Sequence, residues 1–242
     1  MILRRYQKAP VVEAVIEVLY VNQLSKADLG RISRRLMGRF PRREEEVSID
    51  VEISPYSVNA ERNPTGHKLT SADNLSVVLL RPTGITSAKL APYAGWDLLK
   101  EQTANILDDA YHVIDRRQIG RIGVRYLNRL DIPGANINLQ DWLNVGLSIP
   151  KNFGGVLNAF GARVVVPMDN DLIVALAYHS VPSPLIDHSS VFLDIDVAID
   201  RGIPLADDEV WKLISKMRDA KNFVFEGCIT QRMRNLFVEM ET

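Results

Sequence analysis

The chain has 242 residues, of which 46% are hydrophobic, 24% charged and 7% aromatic, and its formal net charge is −1. This composition excludes an intrinsically disordered chain and a wholly basic nucleic-acid-binding domain. No apolar run approaches the roughly 20 residues that span a bilayer, and the N-terminal residues lack the apolar core of a signal peptide. The single Cys228 excludes an internal disulfide framework. We therefore expect a cytoplasmic protein.

The first half of the chain predicts a strand, a helix, several strands and a long helix. Val11–Tyr20 is rich in β-branched residues and alternates an apolar face with a face that carries Glu13 and Glu17. Apolar residues at helical spacing predict a helix over Lys26–Phe40, with Ser25 as its N-cap. The other elements of this half are a strand over Val47–Ile53, a loop over Pro55–Gly66, strands over His67–Ala72, Leu75–Arg81 and Ile85–Leu90, and a helix over Ala94–Arg116.

The second half repeats this order of elements. Its predicted elements are a strand over Arg121–Ile132, a short helix over Leu139–Val145, strands over Leu157–Pro167, Leu172–Ser180 and Val191–Ile199, and helices over Asp208–Val224 and Thr230–Met240. The order predicts two similar α+β lobes, residues 1–117 and 118–242, packed as one compact unit. Two explanations of this similarity remain open. The halves arose by structural duplication, or the chain is a single α+β domain in which the same order of elements recurs by coincidence.

Tight turns between successive strands favour antiparallel pairing, and alternation within the strands favours a sheet that is covered on one face. We therefore expect an α+β protein with a large, bent antiparallel sheet and helices packed on one face of it. By analogy of element order alone, such a pair of lobes is similar to a saddle or a helix-grip architecture.

Strand parity places charged residues of both signs on the face that the helices leave open. They are Glu13, Glu17, Arg121, Arg125, Arg129, Asp194 and Asp196. Opposite charges on a solvent-facing sheet pair across strands and protect against aggregation. Alternatively the face is concave, and its arginines hold an anion such as a phosphate while the carboxylates bind a divalent metal or pair with the arginines.

A second basic feature lies on the first helix. Arg31, Arg34, Arg35 and Arg39 are candidates for contacts with nucleic-acid phosphates. Three glutamates, residues 44–46, follow this stretch, so a charge-balanced, solvated helix end is the competing interpretation. The stretch has no interleaved aromatic residues, which removes local support for stacking on a single strand.

Standard catalytic motifs are missing from the sequence. It contains neither of the glycine-rich phosphate-binding patterns, nor a nucleophile elbow, nor the H-E-x-x-H metal motif. The four histidines are scattered along the chain. We therefore assign no catalytic residue, cofactor or metal ligand set from the sequence.

Several short motifs occur in a fixed order along the chain. They are Y-x-x-x-P-V-x-E-A from Tyr6, L-x-P-Y-x-x-W from Leu90, and R-I-G-x-R-Y-x-N from Arg121. The set resembles a family of sporadically distributed, uncharacterised bacterial proteins of about this length. The resemblance implies a bacterial cytosolic protein and carries no activity. Gly123 separates two arginines on one face of its strand, whereas Tyr126 and Asn128 face the other way.

Three functions are compatible with these features. The lack of catalytic motifs favours a non-enzymatic binding or interaction protein, either a dimer or one member of a pair. The first alternative is a metal-dependent enzyme or binder that acts on a phosphorylated ligand, held by Arg121 and Arg125. The second alternative is nucleic-acid binding through Arg31–Arg43. A membrane partner is not expected.

Overall fold

The structure of the protein is a computed structural model that describes residues 4–54, 57–146 and 159–239, with the backbone alone for 48–54 and 57–64. Its strands are β1 (Val11–Tyr20), β2 (Arg42–Ser54), β3 (Ser57–Thr70), β4 (Ser76–Arg81), β5 (Gly84–Leu90), β6 (Ile119–Pro133), β7 (Gly161–Pro167), β8 (Ile173–Val181) and β9 (His188–Ile199). Its α-helices are α1 (Lys26–Leu36), α2 (Trp96–Ile114), α3 (Asp207–Cys228) and α4 (Gln231–Phe237).

The described strands form one antiparallel sheet in the order β2-β3-β4-β5-β1-β6-β9-β8-β7. This confirms the predicted α+β class. The chain divides into two compact units, one formed by residues 15–122 and the other by residues 1–14 together with 123–242. We call them the 15–122 unit and the 123–242 unit. No described helix is both long enough and apolar enough to cross a membrane.

In the 15–122 unit, α1 begins with a capping box. The Ser25 hydroxyl accepts a hydrogen bond from the Asp28 backbone N–H, and the Asp28 carboxylate accepts one from the Ser25 N–H, both at 3.1 Å. Such reciprocal bonds satisfy N–H groups that the first turn of a helix leaves unpaired. Leu29, Ile32 and Leu36 then form the buried stripe of α1, as their spacing predicts.

The prediction of a loop over Pro55–Gly66 is wrong, because β3 begins at Ser57. Pro64 is tolerated in this strand because it lies at an irregularity of pairing, where the β2–β3 register shifts between Glu46 and Val47. Gly66 packs closely against the backbone of Leu80 in β4. Its lack of a side chain therefore serves a close strand contact rather than a turn.

In the 123–242 unit, α3 packs on β9. The buried residues of α3 that face the sheet include Val210, Ile214 and Met217. The predicted short helix over Leu139–Val145 is reduced to one 3₁₀ turn, Leu139–Asp141. The first two residues of the strand predicted over 157–167, and the last residue of the helix predicted over 230–240, lie outside the described residues.

Candidate functional site

In the 15–122 unit, the predicted charges form ion pairs. Arg121 donates to Glu17, which also accepts from the Thr86 hydroxyl at 3.5 Å. Arg81 binds Glu46 through two hydrogen bonds of 2.8 Å each. These bonds raise the pKa of the Arg81 guanidinium, and the nearby Glu17 carboxylate raises it further.

In the 123–242 unit, Arg125 and Asp194 form a bidentate ion pair on the charged face. Arg125 donates to the two carboxylate oxygens of Asp194 at 2.8 and 2.6 Å. These bonds raise the pKa of Arg125, and the charges of Asp194, Asp196 and Glu13 add to that effect. The structure therefore brings Glu13, Arg125, Asp194 and Asp196 into one electrostatic cluster.

Arg129 occupies a separate place on the same unit. It donates to Asp131 at 3.0 Å and to the backbone carbonyl of Pro182 at 2.8 Å. Its guanidinium carbon lies 6.0 Å from the centre of the Phe192 ring, and the His179 ring meets Phe192 edge-on at 5.6 Å. Arg129 is thus held on three sides by its own unit.

This pairing determines what the charged face can do chemically. Asp194 occupies the Nε–Nη2 edge of the Arg125 guanidinium in the bidentate geometry that a phosphate would use there, and it compensates the charge that would attract a phosphate. Among residues 4–54, 57–146 and 159–239, no three His, Cys, Asp or Glu side chains are grouped so that they could hold a metal ion. The geometry is that of a compensated network of cross-strand ion pairs.

Most of the candidate nucleic-acid-binding arginines also form ion pairs with carboxylates. Arg31 binds Asp28 at 2.7 Å, Arg35 binds Asp109 at 2.7 Å, and Arg39 also pairs with Asp109. Arg34 is exposed on α1. Two carboxylates, Asp28 and Asp109, thus occupy part of the donors that three of the four candidate arginines would offer to nucleic-acid phosphates.

A cluster in the core of the 123–242 unit was not predicted from the sequence. Lys221 is 7% exposed and Tyr126 is 2% exposed, and the Lys221 ammonium nitrogen lies 3.8 Å from the centre of the Tyr126 ring. A sequence signal for this burial exists. Lys221 falls at helical spacing on the stripe formed by Val210, Ile214, Met217, Phe225 and Cys228.

No family model, no curated protein and no solved structure matches the chain.

Proposed function

We propose that the protein is a non-enzymatic interaction protein that self-associates through a two-stranded ribbon, the β2–β3 ribbon, which consists of Val47–Ser54 and Ser57–Pro64. The observation that carries this proposal is the length of the hairpin. Gly66 lies against Arg81, the last residue of β4, whereas the pairing of β2 with β3 continues for eight more residues on each strand. At about 3.3 Å per residue, the ribbon extends about 25 Å past the end of β4.

A ribbon of this kind needs a covering surface. An isolated two-stranded hairpin is marginally stable in water, and in the described part of the chain β3 pairs with β4 through His67–Thr70 alone. The register matches Val51 with Ala60 and Ile53 with Val58. A row of apolar positions on an isolated ribbon gains stability when another protein surface covers it.

The surface that covers the ribbon is, in this proposal, the β2 strand of a second copy of the chain. β2 is the terminal strand of the described sheet, so its outer edge can pair with an identical edge about a two-fold axis. Its first five residues, Arg42–Glu46, are two arginines followed by three glutamates. In two antiparallel copies paired about Glu44, Arg42 lies opposite Glu46 and Arg43 lies opposite Glu45, whereas Glu44 lies opposite its own copy.

The test is the mass of the protein in solution, measured by native mass spectrometry and light scattering. We expect the wild type to show a multiple of the 27.2 kDa chain mass. Val51→Thr with Ile53→Thr keeps strand propensity but removes apolar area, and we expect this variant to shift toward the monomer. The matched control is Asp50→Thr with Glu52→Thr, which alters the polar positions of the same strand and is expected to retain the wild-type mass. A monomeric wild type, or equal dissociation of the two double variants, would refute self-association through the ribbon.

A further inference from the structure

A run of exposed apolar residues occupies β7, a terminal strand of the described sheet. Val164, Val165 and Val166 are 46%, 54% and 50% exposed, although successive strand residues point to opposite faces. The strand is therefore apolar and uncovered on both of its faces. Proteins usually protect an edge strand with several charges, a bulge or a covering element, because an uncovered apolar edge pairs readily with another chain.

The packing that covers β9 does not extend to β7. Val164 pairs with Leu176 in β8, and Leu176 pairs with Ile195 in β9, so the three side chains lie in a row on one face of the sheet. Ile195 is fully buried, and α3 packs on β9. Leu176 is half-buried and Val164 is exposed. This face of the unit is therefore open at its edge strand.

The outer edge of β7 presents backbone groups from alternate residues. The Met168 N–H donates to the Leu172 carbonyl at 2.7 Å, and the pairing of β7 with β8 runs without a register shift. The even-numbered residues of β7 therefore direct their backbone groups toward β8, and the N–H and C=O groups of Gly161, Arg163 and Val165 point outward. In the described part of the chain, no strand pairs with this edge. An extended segment satisfies such a row of alternating donors and acceptors.

Arg163 adds a requirement for negative charge at this edge. Its side chain is exposed, and among the described residues no carboxylate forms an ion pair with it. Along its row, Ala177 of β8 separates Arg163 from Asp194 of β9, and the Asp194 carboxylate binds Arg125. A carboxylate directly opposite Arg163 on an added strand forms the ion pair that the described sheet does not supply.

We propose that the β7 edge binds an extended peptide segment of a partner protein by strand addition, and that this segment carries a carboxylate opposite Arg163 between apolar residues. Antiparallel addition is slightly more stable per residue than parallel addition. It places the neighbours of the carboxylate opposite Ala162 and Val164, where apolar side chains cover the open face. A second copy of β7 brings another arginine to the edge instead of a carboxylate. This site lies in the 123–242 unit and does not depend on the β2–β3 ribbon.

The test is fluorescence anisotropy on the full chain with a labelled, end-blocked peptide of sequence Val-Thr-Val-Glu-Val-Thr. We expect saturable binding. The matched control peptide has lysine in place of glutamate, and we expect the wild type to bind it about five- to ten-fold more weakly, because like charges then lie opposite each other. Arg163→Glu should reverse this order, so that the lysine peptide binds more tightly. A lack of saturable binding to the wild type, or the same order of affinities in Arg163→Glu, would overturn the proposal.

A second pair of variants tests the backbone pairing. Val165→Pro removes an outward N–H and no hydrogen bond to β8, and an edge strand tolerates proline on its outer side. We expect Val165→Pro to bind the glutamate peptide at least about ten-fold more weakly, whereas Val165→Thr keeps the N–H and should retain the wild-type affinity. Circular dichroism checks that both variants are folded. Equal losses in the two variants would count against strand addition.

Native mass spectrometry of Val165→Pro identifies the occupant of the edge. We expect this variant to keep the wild-type mass. A smaller mass would show that a second copy of the chain pairs with β7, and it would overturn the choice of a partner peptide. Self-association through the ribbon is tested by the mass of the wild type, and peptide binding by anisotropy, so each of the two proposals can fail without the other.

Discussion

Replacing Lys221 by methionine should stabilise the protein at neutral and acidic pH. Methionine keeps an unbranched side chain of similar length and removes the amine, so it fits the space between the Tyr126 and Phe225 rings. In the wild type, the Lys221 side chain is an ammonium in that space whenever the pH lies below the pKa that Lys221 has in the folded protein. Burial of the ammonium lowers the free energy of unfolding, because the charge loses its hydration. The methionine variant has no charge at this position and avoids that loss.

The magnitude follows from the shift in pKa. The pKa of Lys221 falls from an ordinary 10.5 to about 7 on folding, which corresponds to about 5 kcal/mol. This figure is the net cost of the charged form, because a shifted pKa reports the sum of all interactions of the ammonium, its attraction to the Tyr126 ring included. Because the unfolded chain binds the proton more tightly, the wild type gains stability as the pH rises from about 7 to about 10. Below pH 7 both states are protonated, and the full cost applies.

Urea unfolding at a series of pH values measures this difference, with tryptophan fluorescence as the signal. Trp142 and Trp211 report on the 123–242 unit and Trp96 on the 15–122 unit. We expect Lys221→Met to exceed the wild type in free energy of unfolding by about 5 kcal/mol at pH 6 and to come within about 1 kcal/mol of it at pH 10. Parallel stability curves for the two proteins between pH 7 and pH 10 would refute the reasoning.

Three further perturbations test the architecture by chemical denaturation. Asp28→Ala removes the carboxylate bond of the capping box and the contacts of Asp28 with Arg31 and Arg117, and it should cost about 2–3 kcal/mol. Because hydrogen bonding, from Arg31 first, lowers the pKa of Asp28, the wild type should keep that advantage down to the ordinary aspartate pKa of about 3.9 and lose it progressively at lower pH. Arg125→Ala and Asp194→Ala should couple by about 1 kcal/mol in a double-mutant cycle, since the Arg125 side chain is 50% exposed; a coupling of zero contradicts the pairing. Gly84→Ala places a Cβ against the Val18 carbonyl oxygen and should cost about 2–3 kcal/mol, so a neutral result would contradict that strand contact.

The parts of the fold that follow from short-range pattern could be predicted from the sequence. In β1 the strict alternation of residue types separates buried Ala14, Ile16 and Val18 from half-buried Glu13 and Glu17, as the structure shows. This works because successive strand residues point to opposite faces, so the pattern depends on neighbours alone. The N-cap of α1 at Ser25 is local in the same sense.

Features that depend on distant residues escaped prediction. The contact of Arg125 with Asp194 joins residues 69 positions apart, and no local pattern encodes the strand register that brings them together. The residues around Pro64 and Gly66 resemble a loop in composition. They form a strand because a register shift and a close approach to β4 make use of those two residue types.

The charged face and the Lys221 cluster differ in what they reveal about function. Arg81, Arg121 and Arg125 each have a carboxylate partner, so their charges are compensated locally. Lys221 breaks the expectation that an apolar stripe carries apolar residues. No described carboxylate is bound to its amine, and the Tyr126 ring with the nearby charges of Glu226 and Asp219 compensates the ammonium only in part. Natural sequences break such rules mainly where function requires it. Among the described residues, Lys221 is therefore a clear departure from the pattern that a buried helix stripe follows.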